Sequence, residues 1–226
     1  MLAIWVLGTP FGGVADEPQY LRNGIYYTLS SFTKGELTIP AATASNIDQS
    51  ACFAFRPEIS AQCKTVSNQI GMVTAEPPKL LYSYPQPWFW LTSWPAILID
   101  GEYGPLFARI FAGIISMTTI SIGILFWKRD TKLLWLATIL AVNPLSMSVI
   151  AGYNPNSMEI AGSLSLALML FGKKSTLKFS RNNLSLILCL LIVTLLTSSA
   201  KPMSGTFVLF AIFLYFINES ISKSFR

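Results

Sequence analysis

The chain has 226 residues, of which 52% are hydrophobic and 12% are charged, and its formal net charge is +5. With a mean hydropathy of +0.52, it contains more apolar side chain than a soluble core of this size needs, which excludes an ordinary soluble domain. The chain has no histidine, so a histidine-based catalytic triad, a histidine-containing zinc site and a histidine haem ligand are also excluded.

The basic residues do not indicate a nucleic-acid partner. They cluster in short connections between apolar blocks, as residues that set membrane topology do. The chain also has no basic and aromatic platform on which bases could stack. We therefore expect membrane lipid as a partner and no nucleic acid.

The first apolar block, residues 1–11, has about half of the roughly 20 residues that a helix needs to cross the hydrocarbon core. A signal peptide would be similarly short, but this block lacks a basic start and a small-residue cleavage site. We predict that it is a truncated first transmembrane helix.

Residues 12–84 form the long polar region of the sequence and are predicted to be a large extracytoplasmic loop. Within this loop, residues 18–31 predict a short helix with Asp16 as its N-cap and Pro18 at an early helical position. Residues 35–78 predict an irregular loop with short extended pieces.

The remainder, residues 85–226, predicts a transmembrane helix bundle. An aromatic run at residues 84–94 is typical of a membrane interface, and residues 86–99 predict a short helix in or just below that interface. Apolar blocks that approach the length of a span follow near residues 106–127, 133–150, 157–171, 184–199 and 205–217. The predicted fold class is therefore all-α, a multi-pass transmembrane helix bundle of about six spans, the first truncated, with a short helix in its large outer loop.

The short connections predict the orientation of the bundle in the plasma membrane. Most cations lie in the connections near residues 128–132 and 173–181 and in the C-terminal tail, whereas the alternate connections, 151–156 and 200–204, carry only Lys201. Because basic loops remain in the cytoplasm, we expect the first set inside and the large polar loop outside.

Asp16 and Glu17 lie shortly after the first apolar block. Two adjacent carboxylates near a low-dielectric boundary could act as a general base or hold a divalent metal, and no other cofactor is indicated. The structural alternative is a helix N-cap followed by a first-turn acid that interacts with the helix dipole.

Three further positions lie at predicted helix ends on the outer side. Arg109 could bind a phosphate through its planar guanidinium, or extend to the lipid headgroups. Asn154 and Glu159 are explained by helix capping and the helix dipole, and a Glu159 that faces the bundle interior is the functional alternative. Lys201 either complements a helix dipole or binds a phosphate.

Cys52 and Cys63 are about ten residues apart in the polar loop, and we predict that they form a disulfide worth roughly 3 kcal/mol. No further Cys and no His lies near them, so a metal site is not predicted there. Cys189 lies in an apolar block and is predicted to be a packing residue.

Several of these segments together resemble one family. They are Ala15-Asp16-Glu17-Pro18-Gln19-Tyr20, Cys52-Phe53-Ala54-Phe55-Arg56-Pro57, Tyr84-Pro85-Gln86-Pro87, Arg109, Asn154-Pro155-Asn156 with Glu159, and Lys201-Pro202. The family is an uncharacterised bacterial group of predicted polytopic membrane proteins of actinobacterial type, known as a domain of unknown function. It is similar to the GT-C superfamily of glycosyltransferases, and the matches occur in family order over nearly the whole chain.

The resemblance implies a polyprenyl-phosphate sugar as donor and an envelope glycan or a protein as acceptor. In that superfamily an Asp of the first outer loop is the catalytic base, and Asp16, followed by Glu17, occupies this position. The residues implied in substrate binding are Tyr20, Arg22, Tyr84, Arg109, Asn154, Glu159 and Lys201. The chain departs from the family pattern at Tyr20, where a His is common, and at Lys201, where an Arg is common.

Two other functions remain open on the sequence alone. A transporter or flippase of lipid-linked precursors would place ionisable residues in the middle of the membrane and break its helices there, as Pro144 does in one predicted span. A non-catalytic membrane scaffold would need neither a base nor a phosphate site.

Overall fold

The structure is a computed structural model that describes residues 2–14, 16–32, 36–49, 52, 58–60, 70–74, 86–99, 101, 103–172, 184–201 and 203–224. Within these residues the helices are α1 (Leu2–Gly8), α2 (Glu17–Phe32), α3 (Ala41–Gln49), α4 (Gln86–Thr92), α5 (Trp94–Leu98), α6 (Tyr103–Leu125), α7 (Thr131–Ala141), α8 (Pro144–Ala151), α9 (Asn156–Phe171), α10 (Leu184–Ser198) and α11 (Ser204–Ser224). Strands β1 (Thr38–Pro40) and β2 (Met72–Thr74) pair antiparallel, with Ile39 opposite Val73.

Helix α9 is at the centre of the bundle and contacts α6, α8, α10 and α11. Its residues are mostly apolar or small, and Met158, Ala161, Leu168 and Met169 are almost completely buried. A helix that is apolar around most of its circumference is stable only when other helices or lipid surround it. The other helices of the bundle therefore assemble around α9.

Helix α9 approaches two neighbours so closely that only small side chains fit. A Cβ on Gly123 of α6 would lie 2.7 Å from Ser165 Cα in α9. A Cβ on Gly162 of α9 would lie 2.8 Å from Thr197 Cβ in α10. Small residues at such crossings let helix backbones approach, which is how helices associate when lipid is the surrounding solvent.

The outer surface of the bundle is strongly apolar. Helix α7 has no buried residue, and α11 exposes a row of aromatic side chains. Large exposed apolar residues on these two helices include Leu133, Trp135, Leu136, Ile139, Phe207, Phe210, Phe213 and Phe216. A soluble protein rarely exposes an apolar surface of this extent, and the surface is that expected for contact with lipid.

Among the described helices, α6 alone is long and apolar enough to cross a membrane by itself. Helices α7 and α8 qualify only as a pair, and they are bent by 66° at their junction. Helices α9 and α10 and the segment Ser204–Ile217 are apolar but shorter. The predicted number of about six spans is therefore not confirmed.

The predicted span near residues 133–150 is broken at its centre. The Asn143 side chain accepts a hydrogen bond from Ser146 N at 3.0 Å, and Pro144 is the first residue of α8. An Asn cap followed by Pro is a helix start, and Pro also lacks the N–H that a continuous helix would need.

The predicted irregular loop 35–78 contains a helix, α3, in addition to the expected extended pieces. Strand β1 leads directly into α3, and Ala41 N donates to Gly71 O at 2.9 Å beside β2. The all-α prediction is therefore corrected to a mostly helical fold with a small two-stranded sheet. The sheet forms because the two extended pieces satisfy each other's backbone groups and bury Ile39.

The predicted interfacial helix 86–99 is two helices, α4 and α5, and part of it is buried in the protein. Phe89 is completely buried, with its ring centre 5.6 Å from that of Tyr27 in α2. The break lies at Ser93, whose hydroxyl donates to Phe89 O at 2.8 Å. Helix α5 then begins at Trp94, with Pro95 in its first turn.

For the other predicted helices, most of the predicted first and last residues lie within a few residues of those in the structure. The predictions for residues 18–31, 106–127, 157–171 and 184–199 correspond to α2, α6, α9 and α10. The predicted helix 205–217 is longer in the structure and ends at Ser224, and the first apolar block forms the seven-residue helix α1. The basic connection 173–181 lies outside the described residues.

Replacing Gly162 by Ala should force α9 and α10 apart and reduce the free energy of unfolding by about 1–3 kcal/mol. The matched control is Gly205→Ala in α11, where no heavy atom lies within 4 Å of the added Cβ, so this variant should be neutral or slightly stabilised. Thermal unfolding in detergent would measure both. Equal stability of the two variants would contradict the close contact between α9 and α10.

Candidate functional site

Glu17 and Arg109 form an ion pair inside the protein. Glu17 is the first residue of α2 and Arg109 lies in the second turn of α6, and their side chains are 0% and 2% exposed. The guanidinium donates to both carboxylate oxygens, from Nε to Oε1 at 2.8 Å and from Nη2 to Oε2 at 2.6 Å. Such two-point contacts are the strongest form of the arginine–carboxylate interaction.

The other N–H groups of Arg109 donate to backbone carbonyls in and after α1. Val6 O and Thr9 O accept from Nη1 at 3.0 and 2.6 Å, and Pro10 O accepts from Nη2 at 3.1 Å. A guanidinium has five N–H groups, and each of them is used. The predicted contact between Arg109 and a donor phosphate would require one of these bonds to break.

Glu17 is saturated in the same way. In addition to Arg109, Tyr153 N donates to Oε1 at 2.6 Å, and Gly12 N donates to Oε2 at 2.9 Å. With two donors on each oxygen, this carboxylate does not fit a divalent metal shared with Asp16, nor a general base. In the described part of the chain, no group of three Cys, Asp or Glu side chains is placed to hold a metal.

Asp16 differs from Glu17 in both exposure and conformation. Its side chain is exposed, and its backbone has a φ of +59°, the one positive φ at a non-glycine position among the described residues. The Asp16 carbonyl accepts from Tyr20 N at 2.9 Å, so Asp16 occupies the predicted N-cap position. The left-handed conformation is uncommon for non-glycine residues, though Asp tolerates it better than most.

Tyr153 connects the ion pair to α4 and α5. Its N–H bonds Glu17, and its hydroxyl lies 3.0 Å from Thr92 Oγ1 and 2.7 Å from Ser93 Oγ. Burial raises the pKa of the Tyr153 hydroxyl, so this group stays protonated and can donate. Gly24 of α2 permits the contact, because a Cβ there would collide with the hydroxyls of Ser93 and Tyr153.

Three predicted site residues come together where α2 and α9 begin and α10 ends. Lys201 Nζ lies 5.9 Å from the centre of the Tyr20 ring, which is a cation–π distance. Ser204 Oγ donates to Glu159 Oε1 at 3.2 Å, and Ser204 N donates to Lys201 O at 3.1 Å. Glu159 thus positions the turn that carries Lys201.

Asn154 lies at the same end of the bundle and is 3% exposed. Its Oδ1 accepts from Asn156 N at 2.9 Å, which closes the turn before α9. The N-cap of α9 is Pro155, without a side-chain cap bond, so the predicted capping role of Asn154 is replaced by this turn. Because the neighbouring Tyr153 is bonded to Glu17, Asn154 lies close to the segment that contains Asp16.

Arg22 is separated from this group. Two residues along a helix correspond to a rotation of about 200°, so Arg22 and Tyr20 lie on opposite sides of α2. Arg22 pairs with Asp48 of α3, and both side chains are partly exposed, at 38% and 60%. The structure therefore divides the predicted substrate-binding residues between two places.

Two predicted residues, Tyr84 and Cys63, lie outside the described residues. Cys52, the predicted partner of Cys63, is disulfide-bonded. Cys189 is not in a disulfide and is partly buried in α10.

Sequence reasoning missed Tyr153, Thr92, Ser93 and Asp48. A buried tyrosine hydroxyl needs a hydrogen-bonding partner, and Thr92 and Ser93, within the aromatic run, supply two. This contact could not be predicted from either local sequence, because Tyr153 and Ser93 are 60 residues apart in the chain. Asp48 carries no distinguishing signal, since its role depends on how α3 packs against α2.

The whole chain is similar to one family of membrane proteins. A family model described as predicted membrane protein (DUF2142) matches residues 1–226. No curated protein matches the chain, and no solved structure matches it.

Replacing Arg109 by Met should destabilise the protein by about 3–5 kcal/mol, because the buried Glu17 carboxylate would lose its cation. The double variant Glu17→Gln/Arg109→Met removes both charges and should recover a large part of this loss. Asp48→Asn is the matched control, since breaking an exposed pair should cost about 1 kcal/mol or less. Equilibrium unfolding in detergent measures all of these variants. A loss of stability in the double variant as large as that in Arg109→Met would show that the two charges are not coupled.

Proposed function

The chain belongs to the DUF2142 family of predicted membrane proteins, and from this premise we propose that it is a membrane glycosyltransferase of the GT-C type. It would transfer a sugar from a polyprenyl-phosphate donor to an envelope glycan or a protein acceptor. In this proposal the chain is a multi-pass protein of the plasma membrane, with residues 12–84 outside. The exposed apolar surface of α7 and α11 supports the membrane location.

The observation that carries the proposal is the conformation of Asp16. A non-glycine residue in the left-handed region is a strained element that persists when its surroundings fix it. Glu17, the next residue, supplies that constraint through four hydrogen bonds to Arg109, Gly12 and Tyr153. The result is an exposed carboxylate on a fixed backbone position, and a defined position is one of the requirements of a general base.

Lys201 is the second functional group in the proposal. Its ammonium lies over the ring of Tyr20, and Tyr20 is one helical turn after Asp16 in the sequence. Glu159 holds the turn that contains Lys201 in place through its hydrogen bond with Ser204. A cation there would hold the phosphate of the donor next to the base. This replaces the earlier expectation that Arg109 binds phosphate, because the N–H groups of Arg109 are already used.

In the proposed reaction, Asp16 takes the proton from an acceptor hydroxyl as its oxygen attacks the anomeric carbon of the sugar. The bond between that carbon and the phosphate oxygen breaks with inversion, and the polyprenyl phosphate leaves. Lys201 stabilises the charge that develops on the leaving phosphate. Arg109 and Glu17 are positioning residues, since they act through the backbone of Asp16.

Replacing Asp16 by Asn should reduce transfer by about a hundredfold or more while binding of polyprenyl phosphate is retained, because a base acts on chemistry rather than on donor affinity. Asp130→Asn is the matched control. Asp130 is an exposed N-cap whose side chain accepts from Lys132 N, a bond that Asn preserves, so transfer should be unchanged. The assay follows labelled sugar from polyprenyl-phosphate donors in membranes that contain each protein.

Full transfer by Asp16→Asn would show that Asp16 is not the base. A wild-type protein that binds polyprenyl phosphate but transfers no sugar would instead favour the transporter or scaffold function.

Replacing Lys201 by Ala should weaken binding of polyprenyl phosphate about tenfold or more, since a charge-assisted contact with the phosphate is lost. Lys201→Arg should retain most of the affinity. Lys132→Ala removes an exposed cation from α7 and serves as the control without effect. Titration of the lipid phosphate into protein in nanodiscs measures the dissociation constants. Equal affinity of Lys201→Ala and wild type would remove Lys201 from the site.

A further inference from the structure

We propose that the cavity between α2, α3 and the two strands binds a small amphipathic anion, with an aliphatic body and a carboxylate or phosphate head group. This site is separate from Asp16 and Lys201, and it does not depend on the transferase reaction.

The cavity has a volume of about 490 Å³, within the range of about 300–1,000 Å³ that small-molecule sites occupy. Its walls come from three parts of the polar loop and from one face of α2. Apolar side chains make up most of the wall, including Ile25, Ile39, Ile47 and Val73. Arg22 and Asp48 also line the cavity, and their side chains are partly exposed, so solvent reaches both charged groups.

Arg22 is available to a ligand in a way that Arg109 is not. A carboxylate can take at most two of the five N–H groups of a guanidinium, so the ion pair with Asp48 leaves at least three. The side chain of Asp48 is 60% exposed and can return to water at small cost when a ligand replaces it. An incoming carboxylate or phosphate therefore gains a two-point contact with Arg22.

Other polar groups in the wall are already paired with protein. Thr74 Oγ1 donates to Glu36 at 2.6 Å, and Gln49 Nε2 donates to Ser45 Oγ at 3.0 Å. Arg22 is thus the group that selects the head of the ligand. The described residues that line the cavity include no aromatic ring, so the wall favours an aliphatic body over a stacked sugar or base.

The site lies across α2 from the proposed transfer site, because Arg22 and Tyr20 are on opposite sides of that helix. Glu17, the first residue of α2, is held by four hydrogen bonds. Farther along the same helix, Ile25 and Tyr27 are almost completely buried. A ligand in the cavity would therefore stabilise α2 without contacting Asp16 or Lys201.

Hexanoate and hexyl phosphate are suitable soluble probes, and hexanol and hexylamine are controls of the same length. With the full chain in nanodiscs of zwitterionic lipid, ligand-observed NMR should detect saturable binding of both anions, and binding of the two controls should be at least tenfold weaker. Repeating the titration with anionic lipid in the disc distinguishes the source of the ligand. Competition by that lipid identifies a membrane lipid, whereas unchanged binding identifies a soluble anion.

Three variants test the site. Arg22→Gln should weaken hexanoate binding at least tenfold, and Ala44→Leu should block it by filling the cavity. Asp48→Asn should strengthen binding severalfold, because it removes the carboxylate that competes for Arg22, and misfolding cannot produce such a gain. Lys132→Gln, in α7, is the control without effect.

Absence of saturable hexanoate binding to the wild type up to about 10 mM would overturn the proposal. Binding of hexanol as strong as that of hexanoate, or a loss of affinity in Asp48→Asn, would overturn the role of Arg22. The activity of Asp16 variants has no bearing on either result, so this proposal and the transferase proposal can fail separately.

Discussion

The ion pair between Glu17 and Arg109 holds four separate parts of the chain together. Moving two charges out of water costs several kcal/mol for each ion unless every donor and acceptor is satisfied. The protein meets this condition because backbone carbonyls accept from Arg109 and backbone N–H groups donate to Glu17. The carbonyls of Val6, Thr9 and Pro10 and the N–H groups of Gly12 and Tyr153 complete the coordination. The N-terminal segment, α2, α6 and the α8–α9 turn are thereby held in one arrangement.

The consequence for function is that buried charge and exposed charge have different roles. Glu17 and Arg109 have no hydrogen-bonding capacity left for a ligand, and they fix the backbone beside them. Asp16, Lys201 and Arg22 keep part of their side chains accessible, and the two proposals assign the ligand contacts to these three groups. A residue type that suggests phosphate binding is therefore insufficient by itself, since the surrounding donors and acceptors decide whether it is available.

The bundle satisfies a second constraint, which lipid imposes. In a membrane the hydrophobic effect does not drive helices together, and large apolar side chains such as those of α11 can remain on the outside. Close packing occurs instead where Gly123 and Gly162 let α6 and α10 approach α9. The polar ends of these helices then come together at the proposed transfer site, where the turn before α9 and the turn after α10 carry Asn154 and Lys201.

The sequence by itself determined the membrane character, the positions of α2, α6, α9 and α10, and the cap at Asp16, because composition and helix signals are local properties. It also singled out Arg109 and Glu17, but it could not pair them. Their contact joins residues 92 positions apart, and only the tertiary structure brings them together. Packing likewise decided that α4 is partly buried, that α3 forms within a polar loop and that Arg22 faces away from Lys201. These features depend on which surfaces of the folded chain contact each other, and a local pattern of residues does not determine those contacts.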